Sequence, residues 1–214
     1  MDTPDEARDY DSMDHSRVNA AFVDDLLAGG VVEGDVLDLG TGTAQIPVVL
    51  CKRAADCRVM AVDAARQMLE LAIYNIEIAG LGERIQLDWI DAKKLPYPDG
   101  LFHLVMSNSI VHHIPEPRDV LREAVRVTAP GGRLFFRDLA RPDSLDALQR
   151  IVDQYAAGES EHARQMFAAS LHAALTLDEV RTLVAEFGFA PATVRMTSDR
   201  HWTWDAVRPA NSSS

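Results

Sequence analysis

Residues 36–44, with the sequence VLDLGTGTA, combine a short apolar run, an acid and two closely spaced glycines. A continuous apolar run is typical of a buried parallel strand. Gly40 and Gly42 let the backbone turn tightly and approach a ligand without an intervening Cβ. A helix-compatible segment follows at once, and the unpaired N–H groups at a helix start attract anionic groups. The stretch predicts a ligand-binding loop after a strand, with a purely structural turn as the alternative.

The glycine spacing separates two kinds of nucleotide-like ligand. A dinucleotide fingerprint needs a third glycine in the pattern G-x-G-x-x-G, and Gln45 occupies that position. An acid, Asp38, instead stands two residues before the first glycine. Gln45 therefore argues against a nicotinamide-dependent oxidoreductase, which stays as an alternative.

Length, charge and cysteine content limit the class of protein. The chain has 214 residues, and 21 Lys and Arg against 33 Asp and Glu give a formal net charge of −12. This length suits one domain, and so negative a surface repels phosphate backbones, which disfavours nucleic-acid binding. Cys51 and Cys57 form no C-x-x-C pair and are typical of thiols in a reducing compartment. Without a signal-peptide core or roughly 18 consecutive apolar residues, we expect a cytoplasmic protein with no membrane span.

Short apolar runs alternate with segments of helical periodicity along the chain. Strands separated by helices of this length imply right-handed crossovers and a parallel sheet with helices on both faces. We therefore expect an α/β protein with a doubly wound, mostly parallel, seven-stranded sheet whose last strand is antiparallel. The predicted strands are residues 35–39, 58–63, 84–91, 101–108 and 133–139 and a closing hairpin around Asp199, and the predicted helices between the strands are 44–55, 65–79 and 116–128.

Five motifs in order resemble the class I S-adenosylmethionine-dependent methyltransferases. They are VLDLGTGTA, with Ala44 in place of a third glycine; VMAVDAARQML, with an acid ending the strand; Asp91-Ala92 followed by LPYPDGLFHLV; SNSIVHHIPEP; and RVTAPGGRLFFRDLARP. The resemblance covers roughly residues 30–190 and points to the small-molecule, ubiquinone/menaquinone-biosynthesis-type branch. It implies a Rossmann-like fold, S-adenosylmethionine as the cofactor and S-adenosylhomocysteine as its product.

The domain organisation follows from this resemblance and from the end of the chain. Residues 144–173 are Ala-rich and helical with Gly158 between two segments, and Thr176 with Glu179 forms a capping-box pattern before the last helix. We expect one methyltransferase domain. Its parts are a flexible N-terminal arm or lid (1–15), a cofactor-binding core (16–143), a helical insertion over the acceptor site (144–173), the last helix and closing hairpin (174–208), and a tail (209–214).

The resemblance also implies roles for residues at the strand ends. Asp63 would accept hydrogen bonds from two ribose hydroxyls, or cap the following helix. Asp91 would accept from the adenine amino group beside the Ala92 N–H, or cap its own loop. Asp38 would act through the glycine loop or on the methionine amino group. The predicted cofactor-binding residues are Tyr10, Asp38, Gly40, Thr41, Gly42, Asp63, Ala64, Met68, Asp91, Ala92, Asn108 and Ser109.

The implied reaction is in-line transfer of a methyl group from a sulfonium to a nucleophile. A general base is needed only if the acceptor must lose a proton, so the catalytic residues remain unknown. Four residues near the ends of the fourth and fifth strands are candidates on the substrate side: His112, His113, Arg137 and Asp138. Adjacent side chains point in different directions, so at most one histidine faces the site. Ordinary burial or ion pairing is the alternative for all four.

The class of methyl acceptor is narrowed only by motifs that the sequence lacks. No Asn-Pro-Pro-aromatic motif follows the fourth strand, where SNSI stands, and this disfavours adenine, cytosine and glutamine-type nitrogen acceptors. No metal-ligand cluster is evident, so a divalent-metal catechol mechanism has no support. We expect a small organic acceptor methylated at O, C or N. The alternative function is a non-catalytic, cofactor-binding regulator or partner subunit.

Overall fold

A seven-stranded sheet forms the centre of the protein in the computed structural model, which describes residues 16–210. The strands are β1 (Gly34–Leu39), β2 (Cys57–Asp63), β3 (Ile85–Trp89), β4 (Phe102–Asn108), β5 (Thr128–Leu139), β6 (Val194–Met196) and β7 (His201–Val207). The helices are α1 (Ser16–Ala28), α2 (Gln45–Arg53), α3 (Arg66–Ala79), α4 (Pro117–Val127), α5 (Leu145–Tyr155), α6 (Glu161–Ala173) and α7 (Leu177–Glu186), with short 3₁₀ turns at Val111–His113 and Pro191–Thr193. The strand order is β3-β2-β1-β4-β5-β7-β6.

The strand pairing brings the carboxyl ends of the central strands together. β1 pairs in parallel with β2 and β4, and Leu39 of β1 is level with Val62 of β2 and Ser107 of β4. The loops after these strands therefore meet at one edge, where ligands bind in open α/β sheets. β7 runs antiparallel between β5 and β6. The predicted fold class, a mostly parallel seven-stranded sheet with an antiparallel last strand, is confirmed.

Each face of the sheet is covered by its own apolar cluster. Val36 of β1 packs with Phe22 and Leu26 of α1 on one face. Leu37 and Leu39 pack on the other face, in the cluster that includes residues of α4 and α7. Because successive side chains of a strand point to opposite faces, β1 is buried on both sides and reads as a continuous apolar run.

Two helices follow β5 where the sequence predicts a helical insertion. Residues of α5 and α6 form a third apolar cluster with Leu139 at the end of β5. The Tyr155 hydroxyl at the end of α5 donates a 2.8 Å hydrogen bond to Asp199 in the loop before β7. α6 contacts the 3₁₀ turn Val111–His113. The two helices are thus held against the edge of the sheet where the carboxyl ends of the central strands meet.

Two of the differences between predicted and observed element boundaries have a local cause. The strand predicted over 84–91 ends at Trp89 because the chain turns at Asp91, whose carboxylate accepts the Lys93 N–H at 3.0 Å. The glycines predicted as a turn before residue 133 lie inside β5, because Gly131 and Gly132 exchange backbone hydrogen bonds with Arg208. Thr176 and Glu179 form the predicted capping box. Within residues 16–210, no helix is long and apolar enough to cross a membrane.

Candidate functional site

Every second residue from 40 to 44, in the loop between β1 and α2, has a left-handed backbone conformation. Gly40, Gly42 and Ala44 have φ of +69°, +56° and +58°. Glycine is favoured at position 40 for two reasons. Its φ is positive, and a Cβ there would lie 1.9 Å from Ile110 Cγ2. The N–H groups of Gly40 and Thr41 donate to the Val62 carbonyl at 2.9 and 3.0 Å. The loop is therefore fixed to the end of β2.

Asp63, the last residue of β2, braces this loop with its carboxylate. Its Oδ2 accepts a 2.8 Å hydrogen bond from the Gly42 N–H. Its Oδ1 accepts a 2.8 Å hydrogen bond from Ala65, the residue that precedes α3. An ionised carboxylate has about four acceptor positions, so two remain for hydroxyl groups of a ligand. Asp63 thus bonds the N–H of the N-cap residue Ala65 and not the first N–H groups inside α3, and it leaves capacity for the predicted ribose contact.

A cavity of about 520 Å³ lies at the carboxyl ends of β1, β2 and β4. Most of the residues predicted for the cofactor line it: Gly40, Thr41, Gly42, Asp63, Ala64, Met68, Asp91, Ala92, Asn108 and Ser109. Asp38 does not line the cavity, and Tyr10 lies outside the described residues. The structure brings the predicted residues together, while their role in binding stays a prediction.

Asp38 lies beneath the glycine loop with only 3% of its surface exposed. Burial raises the pKa of its carboxyl to about 7, the charge of Asp63 adds to the rise, and the Thr41 side chain opposes it. The Thr41 hydroxyl is itself buried and makes no hydrogen bond of normal geometry among residues 16–210. Asp38 therefore supports the loop from below, next to the buried hydroxyl of Thr41.

Asp91 and Ala92 form the rim of the cavity after β3. The Asp91 carboxylate is exposed and pairs with the Lys93 ammonium at 3.3 Å, while Ala92 is buried. The carboxylate also accepts the Lys93 N–H, so the loop-capping role left open by the sequence is present. Both oxygens thus contact Lys93, and a carboxylate with about four acceptor positions can still accept from a ligand amino group.

The family profile described as a methyltransferase domain matches residues 37–136. This range holds the glycine loop, Asp63, Asp91 and the turn Val111–His113. Residues 37–136 thus match a methyltransferase domain over nearly half of the chain.

Two curated relatives and one solved structure are similar to this chain. The 27-O-demethylrifamycin SV methyltransferase of Amycolatopsis mediterranei is 29% identical over 81% of this chain and 61% of its own length. A ubiquinone/menaquinone biosynthesis C-methyltransferase of Desulfotalea psychrophila is 36% identical over 54% of this chain and 45% of its own length. The chain thus spans less than two thirds of these curated relatives. The structure of a SAM-dependent methyltransferase from Aquifex aeolicus superposes with a TM-score of 0.68 at 20% identity, over 97% of this chain and 99% of that one, and shows the same fold.

Two adjacent histidines of the methyltransferase domain have different surroundings. His112 Nδ1 lies 2.5 Å from Asp138 Oδ1, and both side chains are buried. Asp138 also accepts the N–H groups of Val111 and Leu139, at 2.5 and 2.6 Å. His112 and Asp138 therefore anchor the 3₁₀ turn to the end of β5, and neither lines the cavity.

His113 is the one of the four substrate-side candidates that lines the cavity. Its ring lies 3.9 Å, centroid to centroid, from that of His112. Desolvation and the neighbouring His112 imidazole lower the pKa of His113, although part of its side chain is exposed. The neutral ring therefore predominates near neutral pH and can accept a hydrogen bond or a proton.

Arg137 faces away from the cavity, toward α1. Its guanidinium contacts Asp25 of α1 at 2.6 Å and the Thr203 hydroxyl of β7 at 3.0 Å. These contacts connect α1 to the sheet, which matches the ion-pairing alternative considered for this residue. The Arg137 backbone still supports the site, because its carbonyl accepts the Ser109 N–H at 2.9 Å.

The sequence reasoning missed Asn19 and Gln45, which both line the cavity. The Asn19 side-chain amide of α1 donates a 2.9 Å hydrogen bond to the Gln45 side chain at the start of α2. A signal was present in the sequence, because Asn19 lies three residues before Phe22 and four before Val23 on the apolar face of α1. A polar residue within such a stripe indicates a buried partner or ligand.

Proposed function

We propose that the protein is an S-adenosylmethionine-dependent methyltransferase that transfers a methyl group in line to a small organic acceptor. The observation that carries this proposal is the contact between Asp63 and the Gly42 N–H at the cavity. It fixes a carboxylate suited to ribose hydroxyls beside a glycine loop whose open backbone accepts a close ligand. Asp91 and Ala92 supply an acceptor and an N–H for an adenine ring at the rim of the same cavity.

The cofactor supplies the reactive methyl group, and the protein supplies orientation and exclusion of water. Met68, Ile90 and Ile110 contribute apolar surface to the cavity. Such surface suits an adenine ring and the neutral thioether that methyl transfer leaves. A volume of about 520 Å³ lies within the range of ~300–1,000 Å³ usual for small-molecule sites.

We infer that the acceptor binds beside Asn108, Ser109 and His113, at the end of the cavity formed by β4 and the 3₁₀ turn. The contact of α6 with this turn supports a roof over the acceptor by the insertion 144–173. His113 is suited to accept a hydrogen bond from a hydroxyl acceptor because its ring is neutral near neutral pH, while its pKa of about 4 makes it a weak base. The relatives act on 27-O-demethylrifamycin SV and in ubiquinone/menaquinone biosynthesis, so phenols, quinols and hydroxylated macrocycles are the first acceptors to test.

The cellular setting and excluded partners are also proposals. The two unbridged cysteines support a reducing, cytoplasmic location. The net charge of −12 disfavours nucleic acid as the acceptor.

Binding and turnover separate the proposed function from its alternatives. Calorimetric titration with S-adenosylmethionine and S-adenosylhomocysteine, with NADH as the control, should show saturable binding of the two sulfur ligands alone. Incubation with methyl-labelled cofactor and a panel of phenols, quinols and macrocyclic alcohols should then label at least one acceptor. Binding of both sulfur ligands without label transfer to any acceptor in the panel would favour the non-catalytic alternative. A response to NADH alone would overturn the cofactor assignment.

A further inference from the structure

Two thiols lie side by side away from the ligand cavity. Cys51 belongs to the last turn of α2, and Cys57 is the first residue of β2. Their Sγ atoms are 4.0 Å apart, and both cysteines are reduced. Both side chains are buried in the apolar cluster beneath α1 and α2.

The side chain of Arg84 holds the two cysteine-bearing segments together. Its guanidinium donates hydrogen bonds to the carbonyls of Cys51, Ala54 and Cys57, at 2.7, 2.5 and 2.7 Å. It also contacts Cys57 Sγ at 3.6 Å. Three carbonyl contacts fix this positive charge, so it stays beside one sulfur of the pair.

The two thiols differ in acidity for this reason. The hydrogen bond with Cys51 and the charge of Arg84 lower the pKa of Cys57 to about 7, against the opposing effect of burial. The same hydrogen bond and burial raise the pKa of Cys51. Because the thiolate is the reactive form, Cys57 is suited to react first and Cys51 to react second.

A second cavity is lined by the residue that contacts Cys57. It has a volume of about 240 Å³ at the amino ends of β1, β2 and β4, and Arg84 lines it. Neither cysteine lines this cavity, so Arg84 stands between it and the thiol pair. Hydrogen peroxide in the cavity would need a local opening beside Arg84 to reach the sulfur.

We propose that Cys51 and Cys57 are a reversible oxidation site that forms an intramolecular disulfide with hydrogen peroxide as the oxidant. The Cys57 thiolate attacks one peroxide oxygen, the O–O bond breaks, and the departing hydroxide takes a proton and leaves as water. The resulting sulfenic acid is attacked by the Cys51 sulfur, which gives up its proton as the S–S bond forms and a second water leaves. Two thiols are oxidised and one peroxide is reduced to two waters.

The second step requires only a small movement of the two sulfur atoms. The sulfurs must approach from 4.0 Å to the disulfide bond length of about 2.05 Å. Cys51 lies near the end of α2, whose first residue Gln45 lines the ligand cavity. The oxidation site thus lies on the same helix as part of the ligand site, and its chemistry does not depend on which ligand binds there.

Peptide mass spectrometry of the folded full-length chain tests this site after a peroxide pulse and alkylation. Wild type should give a Cys51–Cys57 cross-linked peptide that has lost two hydrogens and is restored by dithiothreitol. Cys51→Ala should instead give a sulfenic acid on Cys57 that dimedone traps. Cys57→Ala should leave Cys51 at least about tenfold slower to oxidise.

Two results would overturn the proposal. One is a folded wild-type protein that keeps both thiols at peroxide concentrations that cross-link the urea-unfolded chain. The other is equal oxidation rates for Cys51→Ala and Cys57→Ala, since the Arg84 contact predicts a large asymmetry. Alanine is used because a buried free cysteine packs like a small apolar residue, and circular dichroism checks that both variants are folded.

Discussion

Asp63 Oδ2 accepts a 2.8 Å hydrogen bond from the Gly42 N–H, so the acid at the end of β2 holds the glycine loop of β1 in place. The residue predicted to bind ribose therefore also sets the shape of the loop next to it. Ligand affinity and loop geometry depend on the same carboxylate. A site that is fixed before the ligand arrives loses less conformational freedom on binding.

Asp63→Asn should weaken S-adenosylmethionine binding by about 10- to 100-fold, because hydrogen bonds to a charged group contribute about 1.5–3 kcal/mol. The amide keeps one acceptor oxygen and turns an NH₂ group toward a backbone N–H. Titration calorimetry of the folded variant measures the change. The matched control is Asp88→Asn on the neighbouring strand, an exposed position that does not line the cavity. Equal affinities for the two variants would contradict the assignment.

Asp38 should make stability fall as the pH rises. Its carboxyl titrates at 3.8 when unfolded and at about 7 when folded, so the folded state holds an extra proton between these values. The free energy of unfolding therefore decreases over this window and levels off above it, by an upper limit on the order of 4 kcal/mol. Asp38→Asn keeps a neutral side chain and should flatten this dependence.

Urea unfolding at about pH 5, pH 6.5 and pH 8 measures the effect. The control is Asp35→Asn on the same strand, whose side chain is 40% exposed and pairs with Arg58. Asp35→Asn should retain the pH dependence of wild type. A wild-type stability that rises between pH 5 and pH 8 in step with that of Asp38→Asn would refute the raised pKa.

The site residues at the strand ends were predictable because each is close in sequence to the strand that positions it. The glycine loop directly follows β1, Asp63 ends β2 and Asp91 lies two residues after β3, and parallel pairing places such positions at one edge. Ala44 in place of a third glycine did not disturb the prediction, and the structure shows why. The backbone there still takes φ +58°, with alanine in the left-handed region.

Contacts between distant segments were not predictable from local patterns. His112 pairs with Asp138, which follows it by 26 residues and a whole helix, and only the register of β4 with β5 brings them together. The Asn19–Gln45 contact depends likewise on how α1 packs against α2. Which of the two adjacent histidines faces the cavity depends on tertiary packing, so the sequence alone could not decide between them.

Substitution of each of the two adjacent histidines should affect a different property, stability at His112 and methyl transfer at His113. His112→Ala leaves the Asp138 carboxylate buried without its side-chain partner and should lower the free energy of unfolding by about 2–4 kcal/mol. His113→Ala removes a partly exposed ring from the cavity and should change stability by less than about 1 kcal/mol while lowering methyl transfer. Denaturant unfolding and a labelled-methyl assay on both variants test the split, and the reverse order of stability would contradict the assigned roles.

Gly40 and Gly42 form a matched pair that separates backbone strain from crowding. Both have positive φ, and Ala44 shows that alanine is tolerated in such a conformation within the same loop. No atom lies within 4 Å of a Cβ at Gly42, so Gly42→Ala should cost only about 0.5–1 kcal/mol, the left-handed strain less the reduced freedom of the unfolded chain. At Gly40 the Cβ would lie 1.9 Å from Ile110 Cγ2, so Gly40→Ala should cost about 2–4 kcal/mol in all.

The double variant Gly40→Ala/Ile110→Ala identifies the source of that difference. Ile110→Ala removes Cγ2 and leaves only its Cβ, 3.0 Å from the new atom. If crowding against Ile110 dominates, the two single losses of unfolding free energy should not add. The loss in the double variant should then be smaller than their sum by at least about 1 kcal/mol. Urea unfolding of the four proteins closes this cycle. Additive losses would mean that Gly40 is needed for its backbone conformation alone, and the contact with Ile110 would then have no part in fixing the loop.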